Sequence, residues 1–276
     1  MSQIHPVSLR WDSSKQGEKS KIAVMALNRP EQANAFNGEI LEQIISCLEE
    51  VAQNPDCRAF VLKGEGKHFS GGADLKWMQD SIKLAYEENY AEAKKMTVMF
   101  EALHRLPVPT IAVVKGAAFG GAVGLIACCD FAICAEGAKL CLSEVKMGIL
   151  PAVILPYLGK KMLPGPLKRL ALTAKVFGAS EARDYGLIDL ICSEQSLDKL
   201  VKDELSLLLQ GGPMAHKSLK NLFQILSESN FKQSDTTAKS IAKARQGSEA
   251  QAGFEAFFAK KKASWVDELA EDWKLN

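Results

Sequence analysis

The chain lacks any uninterrupted apolar run of membrane-spanning length, which needs about 20 residues, so no span is expected. It also lacks a dominant sign of charge. With 34 basic and 33 acidic side chains the formal net charge is +1, and such a balance exerts no global pull toward nucleic acid or an anionic membrane. Histidines are sparse and scattered (His5, His68, His104, His216) and no C-x-x-C pair accompanies them. The spacing of a zinc site is therefore missing, and no metal is expected. Seven cysteines are present, an odd number placed mostly inside apolar runs, which reads as reduced core thiols rather than a disulfide framework. Met1 to Trp11 carries neither an apolar signal-peptide core nor an Arg-rich amphipathic pattern, so a cytoplasmic setting is expected. No low-complexity linker interrupts the 276 residues.

What is present is a recurring alternation of short apolar runs and helical periods. Ile22 to Leu27 reads as a buried strand, and Asn37 as the cap of a helix with Ile40, Leu41, Ile44, Ile45, Leu48 and Val51 on its apolar face. Further strands are expected over 58–63, 110–115, 131–135, 140–142 and 189–192, with a long polar helix over 83–106 ended by Pro107 and Pro109. A short helix over 122–129 is apolar all round and should be buried. Repeated strand–helix–strand units argue for an α/β fold with parallel pairing. From Ser196 the pattern turns helical, near 196–209, 213–227, 234–245 and 248–260. This sets an expected boundary between a catalytic core, 1–195, and an all-helical C-terminal region, 196–276.

Two glycine-bearing segments stand out. His68-Phe69-Ser70-Gly71-Gly72-Ala73-Asp74-Leu75 and Gly116-Ala117-Ala118-Phe119-Gly120-Gly121-Ala122-Val123-Gly124 each follow a strand-like run and open into a helix-like one. Backbone N–H groups at such positions lack intrahelical partners and sit in the positive field of the helix start. Two aimed at one point would make an oxyanion hole. Neither segment fits a dinucleotide fingerprint, since Ala118 stands where a glycine is required, nor a Walker A loop, since Ala122 stands where lysine is required. A third segment, Leu142-Ser143-Glu144-Val145-Lys146-Met147-Gly148-Ile149-Leu150-Pro151, supplies a carboxylate in apolar surroundings. Burial would push its pKa up toward the working pH of a proton-transfer group.

In order along the chain, these segments resemble the crotonase (enoyl-CoA hydratase/isomerase) family. Asn28-Arg29-Pro30 with Asn34-Ala35-Phe36-Asn37, the two glycine segments, Glu144, Ser180 to Leu187 and Ala256-Phe257-Phe258-Ala259-Lys260 all match its pattern, from about Ile22 to Trp265. The resemblance implies a spiral of repeated ββα units with a C-terminal helical oligomerisation region. It implies oxyanion donors at Ala73 and Gly121, and Glu144 as the acid–base group. It further implies acyl-CoA contacts at Ala33, Gly71, Gly72, Ala73, Asp74, Leu75, Gly120, Gly121, Phe257 and Lys260, the last reaching a neighbouring subunit's CoA. No cofactor beyond the CoA of the substrate is implied, and the assembly would be a homotrimer or a dimer of trimers.

The family's first catalytic glutamate falls on Gly124. The missing side chain is expected to leave room for a bulkier or carboxylated acyl group. The wording around Gly121 and Glu144 looks most like that of bacterial hydratases of 3-methylglutaconyl-CoA in leucine and isoprenoid breakdown. A Δ3,Δ2-enoyl-CoA isomerase is the alternative. An RNA-binding relative is a more distant one, because Lys83, Lys94 and Lys95 lie among Glu87, Glu88, Glu92 and Glu101; no nucleic-acid or membrane partner is expected.

Overall fold

The computed structural model describes residues 5–15, 17–228 and 234–275. Strands among them are β1 (Val7–Ser14), β2 (Gly17–Leu27), β3 (Cys57–Gly64), β4 (Thr110–Val114), β5 (Ala117–Phe119), β6 (Phe131–Ala135), β7 (Lys139–Cys141), β8 (Phe177–Gly178) and β9 (Leu190–Cys192). Helices are α1 (Gly38–Gln53), α2 (Leu75–Ser81), α3 (Tyr86–His104), α4 (Gly121–Cys128), α5 (Leu155–Lys161), α6 (Pro164–Thr173), α7 (Ala179–Asp184), α8 (Leu197–Leu208), α9 (Pro213–Glu228), α10 (Ser234–Gln246) and α11 (Ser248–Phe258).

Six strands form one sheet in the order β1-β2-β3-β4-β6-β9, parallel except for the β1–β2 edge. A second layer, β5-β7-β8, lies against it. Isolated parallel bridges, Phe36 to Ala73 and Ser70 to Ala118, continue this layer across the turns that follow β2 and β3. Each turn of the chain thus contributes a long strand, a short strand or bridge, and a helix. This is the expected ββα spiral.

Alternation along the strands decides which residue faces which side. Ala23, Met25 and Leu27 of β2 join a core with α1, α3 and α4. Ile22 and Val24, with Ala59, Val61, Ile111, Val113, Ile133 and Ala135, face the other way. That second face is covered by Leu197, Val201 and Leu205 of α8 together with Leu269, Trp273 and Leu275 of the C-terminal tail. Packing therefore runs on across position 195/196. Beyond α11 the chain forms turns and irregular segments over 259–275 rather than helix. This irregular tail brings Leu269, Trp273 and Leu275 to the sheet.

Strand β1 escapes the sequence pattern because only one face of this edge strand touches the core: Val7 is buried with Leu9 and Trp11 packed beside it, whereas Ser8 and Arg10 between them are exposed. The polar helix expected over 83–106 is α3, with the short α2 set before it. No helix among the described residues is long and apolar enough to cross a membrane. All seven cysteines are free thiols, and burial pushes that of Cys129 up to about 12.

Candidate functional site

The two glycine segments meet in the second layer. The Ser70 N–H donates to the Ala117 carbonyl at 3.1 Å and the Phe119 N–H to the Ser70 carbonyl at 3.1 Å. Gly72, at φ +88°, lies so close to the other segment that an added Cβ would stand 2.4 Å from the Phe119 oxygen and 3.6 Å from the Gly121 nitrogen. Its role is therefore steric: it lets the two backbones touch, and it is buried behind the site rather than lining it. His68 joins them as well, its Nδ1 accepting from the Ala117 N–H at 3.0 Å.

The first segment is braced by polar side chains. Buried Asn34, at φ +54°, donates to the carbonyls of Glu65 and His68 at 2.8 Å each and accepts from the Arg29 N–H at 2.8 Å. Ser70 Oγ donates to the Asn34 carbonyl at 2.8 Å and accepts from the Gly72 N–H at 3.0 Å. The Ala33 carbonyl accepts from the Gly71 N–H at 2.7 Å. Asp74 caps α2 through the Lys76 and Trp77 N–H groups and pairs with Arg29 at 3.4 Å. The second segment carries no polar side chain and is braced by backbone pairing of β5 with β7, the Gly120 N–H donating to the Cys141 carbonyl at 2.8 Å, and beyond that by packing. Gly120, at φ +53°, ends it in a conformation that favours glycine, and α4 then runs buried from Ala122 to Cys128.

Gly124 corrects an expectation. No space is left there: an added Cβ would lie 2.2 Å from Ile154 Cγ2 and 3.0 Å from Phe100 Cε1. Ile154 fills the volume that a longer residue at 124 would need. A bulkier acyl chain cannot be accommodated on that ground.

Between the segments lies a cavity of about 250 Å³ whose lining includes Ala73, Gly120, Gly121, Phe36, Phe100 and Glu144. It joins a wider cleft of about 1070 Å³ lined by Arg29, Ala33, Asp74, Leu75 and Lys76 among others, with Gly71, Ala73, Trp77, Met78, Ser143 and Met147 shared between the two. Neither the Ala73 nor the Gly121 N–H has an acceptor among the described residues. Gly121 opens α4, so its N–H is one of that helix's unpaired donors. Ala73 lies one residue before the cap of α2, with Phe36 bonded to the residues on either side of it.

Glu144 opens a short 3-10 turn, Glu144–Met147, directly after β7 and Leu142. It is only 9% exposed, and its Oε2 is buried without a hydrogen-bond partner among the described residues. Burial raises its pKa above the ordinary carboxylate value, partly opposed by its own backbone N–H. A Cβ on Gly120 would meet Glu144 Oε1 at 3.3 Å, which places the carboxylate against the second glycine turn.

Of the residues picked out by sequence, Glu144, Ala73, Gly121, Gly120 and Gly71 thus converge on the inner cavity, while Ala33, Asp74 and Leu75 line the outer cleft. Phe257 and Lys260 lie on exposed α11 and just after it, outside both cavities of the single chain. Sequence reasoning missed the walls contributed by Phe36, Phe100 and Ile154, and the bracing by Asn34 and Ser70. A polar residue inside a glycine segment was the available signal for Ser70.

This is an α/β spiral in which, among the described residues, two unengaged backbone donors and a buried carboxylate face the same cavity. The family model for enoyl-CoA hydratase/isomerase matches residues 17–268, and the chain belongs to that family. The crystal structure of an enoyl-CoA hydratase from Shewanella pealeana superposes with a TM-score of 0.88 at 37% identity, covering 95% of this chain and 97% of that one. Crotonyl-CoA hydratase of Syntrophomonas wolfei is 34% identical over 204 residues, 72% of this chain and 76% of the relative. Hydroxycinnamoyl-CoA hydratase-lyase of Pseudomonas fluorescens is 30% identical over 234 residues, 82% and 83% of the two chains. The chain is an enzyme of this hydro-lyase and isomerase class.

Proposed function

We infer that the chain adds water across the double bond of a 2-enoyl-CoA thioester. The observation that carries this reading is the buried Glu144 carboxylate, with one oxygen unpartnered among the described residues, in a cavity also lined by two N–H groups without acceptors among them. Polarising the thioester carbonyl makes Cβ electrophilic. Glu144 takes a proton from water as the oxygen bonds to Cβ, and returns that proton to Cα. Negative charge builds on the thioester oxygen in between, so donors fixed in place stabilise the transition state more than the substrate. The wider cleft would take the CoA arm, and the inner cavity the acyl group. The C-terminal helices would form the contacts of a homotrimer or dimer of trimers, bringing Phe257 and Lys260 to a neighbour's CoA.

The resemblance to methylglutaconyl-CoA hydratases favours a carboxylated acyl group, but the described lining of the cavity carries no cation to receive one. An uncharged enoyl group suits it better. A second reading, proton transfer between C2 and C4 in a Δ3,Δ2-isomerase, draws support from Gly124. With Ile154 in that volume, no second carboxylate faces Glu144 from position 124. A panel of 2-enoyl- and 3-enoyl-CoA thioesters followed by enone absorbance decides between them. Hydration removes the absorbance of 2-enoyl thioesters, whereas isomerisation alone creates it from 3-enoyl ones and leaves crotonyl-CoA untouched.

A further inference from the structure

Helix α3 presents Asn89, Glu92, Ala93, Met96 and Phe100 to the inner cavity, a spacing that places them on one helical face. The face is divided. Phe100 lies against the second glycine segment, 3.8 Å from where a Cβ on Gly121 would stand. Glu92 is eight residues earlier, about 12 Å along the axis at 1.5 Å per residue. An acyl group whose carbonyl sits at the Ala73 and Gly121 donors therefore has an apolar stretch first and an acidic one beyond it.

Glu92 is held where it is. Its Oε2 accepts from Trp77 Nε1 at 3.1 Å, and Oε1 lies 3.4 Å from Lys95 Nζ. Lys95 also bonds Glu42 at 3.0 Å and has a half-exposed side chain, so its charge is shared and turned away from the cavity. Among the described residues lining the cavity the ionisable ones are Glu92 and Glu144; no lysine, arginine or histidine is present. A carboxylate brought into this space would lose hydration without gaining a partner and would meet like charge.

We propose that Glu92 sets the charge selectivity of the acyl pocket, admitting uncharged enoyl groups and disfavouring those that end in a carboxylate. The inference rests on the reading of the cavity as an acyl-CoA site, and the test separates the two. Saturated butyryl-CoA and glutaryl-CoA are not turned over, so calorimetric titration into the full-length protein reads binding alone. Wild type should bind butyryl-CoA at least ~10-fold more tightly, and Glu92→Gln should shrink that ratio by ~10-fold at low salt, a discounted estimate for a partly exposed charge. The glutamine oxygen can still accept from Trp77, and a thermal melt checks that the fold is kept. Glu92→Lys should carry the ratio further in the same direction, and exposed Glu87→Gln should leave it at the wild-type value. An equal ratio in wild type and Glu92→Gln, or equal affinities in wild type, overturns the proposal. If neither thioester binds, the acyl-CoA reading itself falls and this inference with it.

Discussion

The two glycine segments reach one cavity by different means. The first is tied by hydrogen bonds: Asn34 holds the Glu65 and His68 carbonyls before it, Ser70 the Gly72 N–H within it, and Asp74 the Lys76 N–H after it. The second has no polar side chain of its own; its strand pairs through backbone groups, and its helical end is held by volume, with Gly120 at the turn and α4 wedged against Phe100 and Ile154. A backbone donor can be fixed by satisfying the groups around it or by leaving it nowhere to go. The first mode should fail by losing hydrogen bonds, and the second by overpacking.

Glu144, which belongs to neither segment, sets the upper scale. Glu144→Gln should lower turnover by at least ~10² while acyl-CoA binding persists, because an amide keeps the shape and cannot exchange the proton. A loss of only a few-fold would assign the base elsewhere. Its raised pKa adds two expectations of definite sign. The acid limb of the wild-type rate should lie above the ordinary carboxylate range, because the base must be ionised. A carboxyl whose pKa is raised on folding gives up stability as pH climbs through its unfolded and then its folded pKa. Glu144→Gln should therefore melt higher than wild type at neutral pH, with the gain fading as the pH falls below the carboxylate range.

Gly124→Ala comes next. Alanine normally improves a helix interior by about 1 kcal/mol, but here its Cβ would stand 2.2 Å from Ile154 Cγ2. Overpacking should cost about 3 kcal/mol, read as a lower urea midpoint. Ile154→Ala in the same chain should recover part of it as a positive coupling in a double-mutant cycle. Additive losses would show that volume is not what holds the second segment.

Ser70→Ala should cost about 2 kcal/mol, since it leaves the buried Gly72 N–H and Asn34 carbonyl short of a partner. Ile154→Ala should not relieve this loss. If it did, the contrast between the segments would collapse. The smallest effect belongs to Asp74→Ala, which removes the cap of α2 at a cost of about 1 kcal/mol. A measurable fall in turnover larger than the fall in stability would show that the Arg29–Asp74 pair also steadies the Ala73 donor.

The linear chain was enough to reveal an α/β alternation with parallel pairing, the two glycine turns and the glutamate between apolar neighbours, because these are local properties of spacing and residue type; the ββα spiral itself came only with the family resemblance. It was enough to place α4 as a buried helix, since no face of it is polar. It could not reveal that the absence of a side chain at 124 is answered by Ile154, thirty positions on, and the expectation of an open pocket failed for that reason. Nor could it show Glu92 among the cavity walls: on a helix rich in surface glutamates, only packing against Trp77 and Gly38 distinguishes the one that faces inward. Strand β1 and the tail with Leu269, Trp273 and Leu275 were likewise decided by what they cover. Periodicity tells which side of an element is apolar, whereas the volume facing that side belongs to residues that the fold alone brings near.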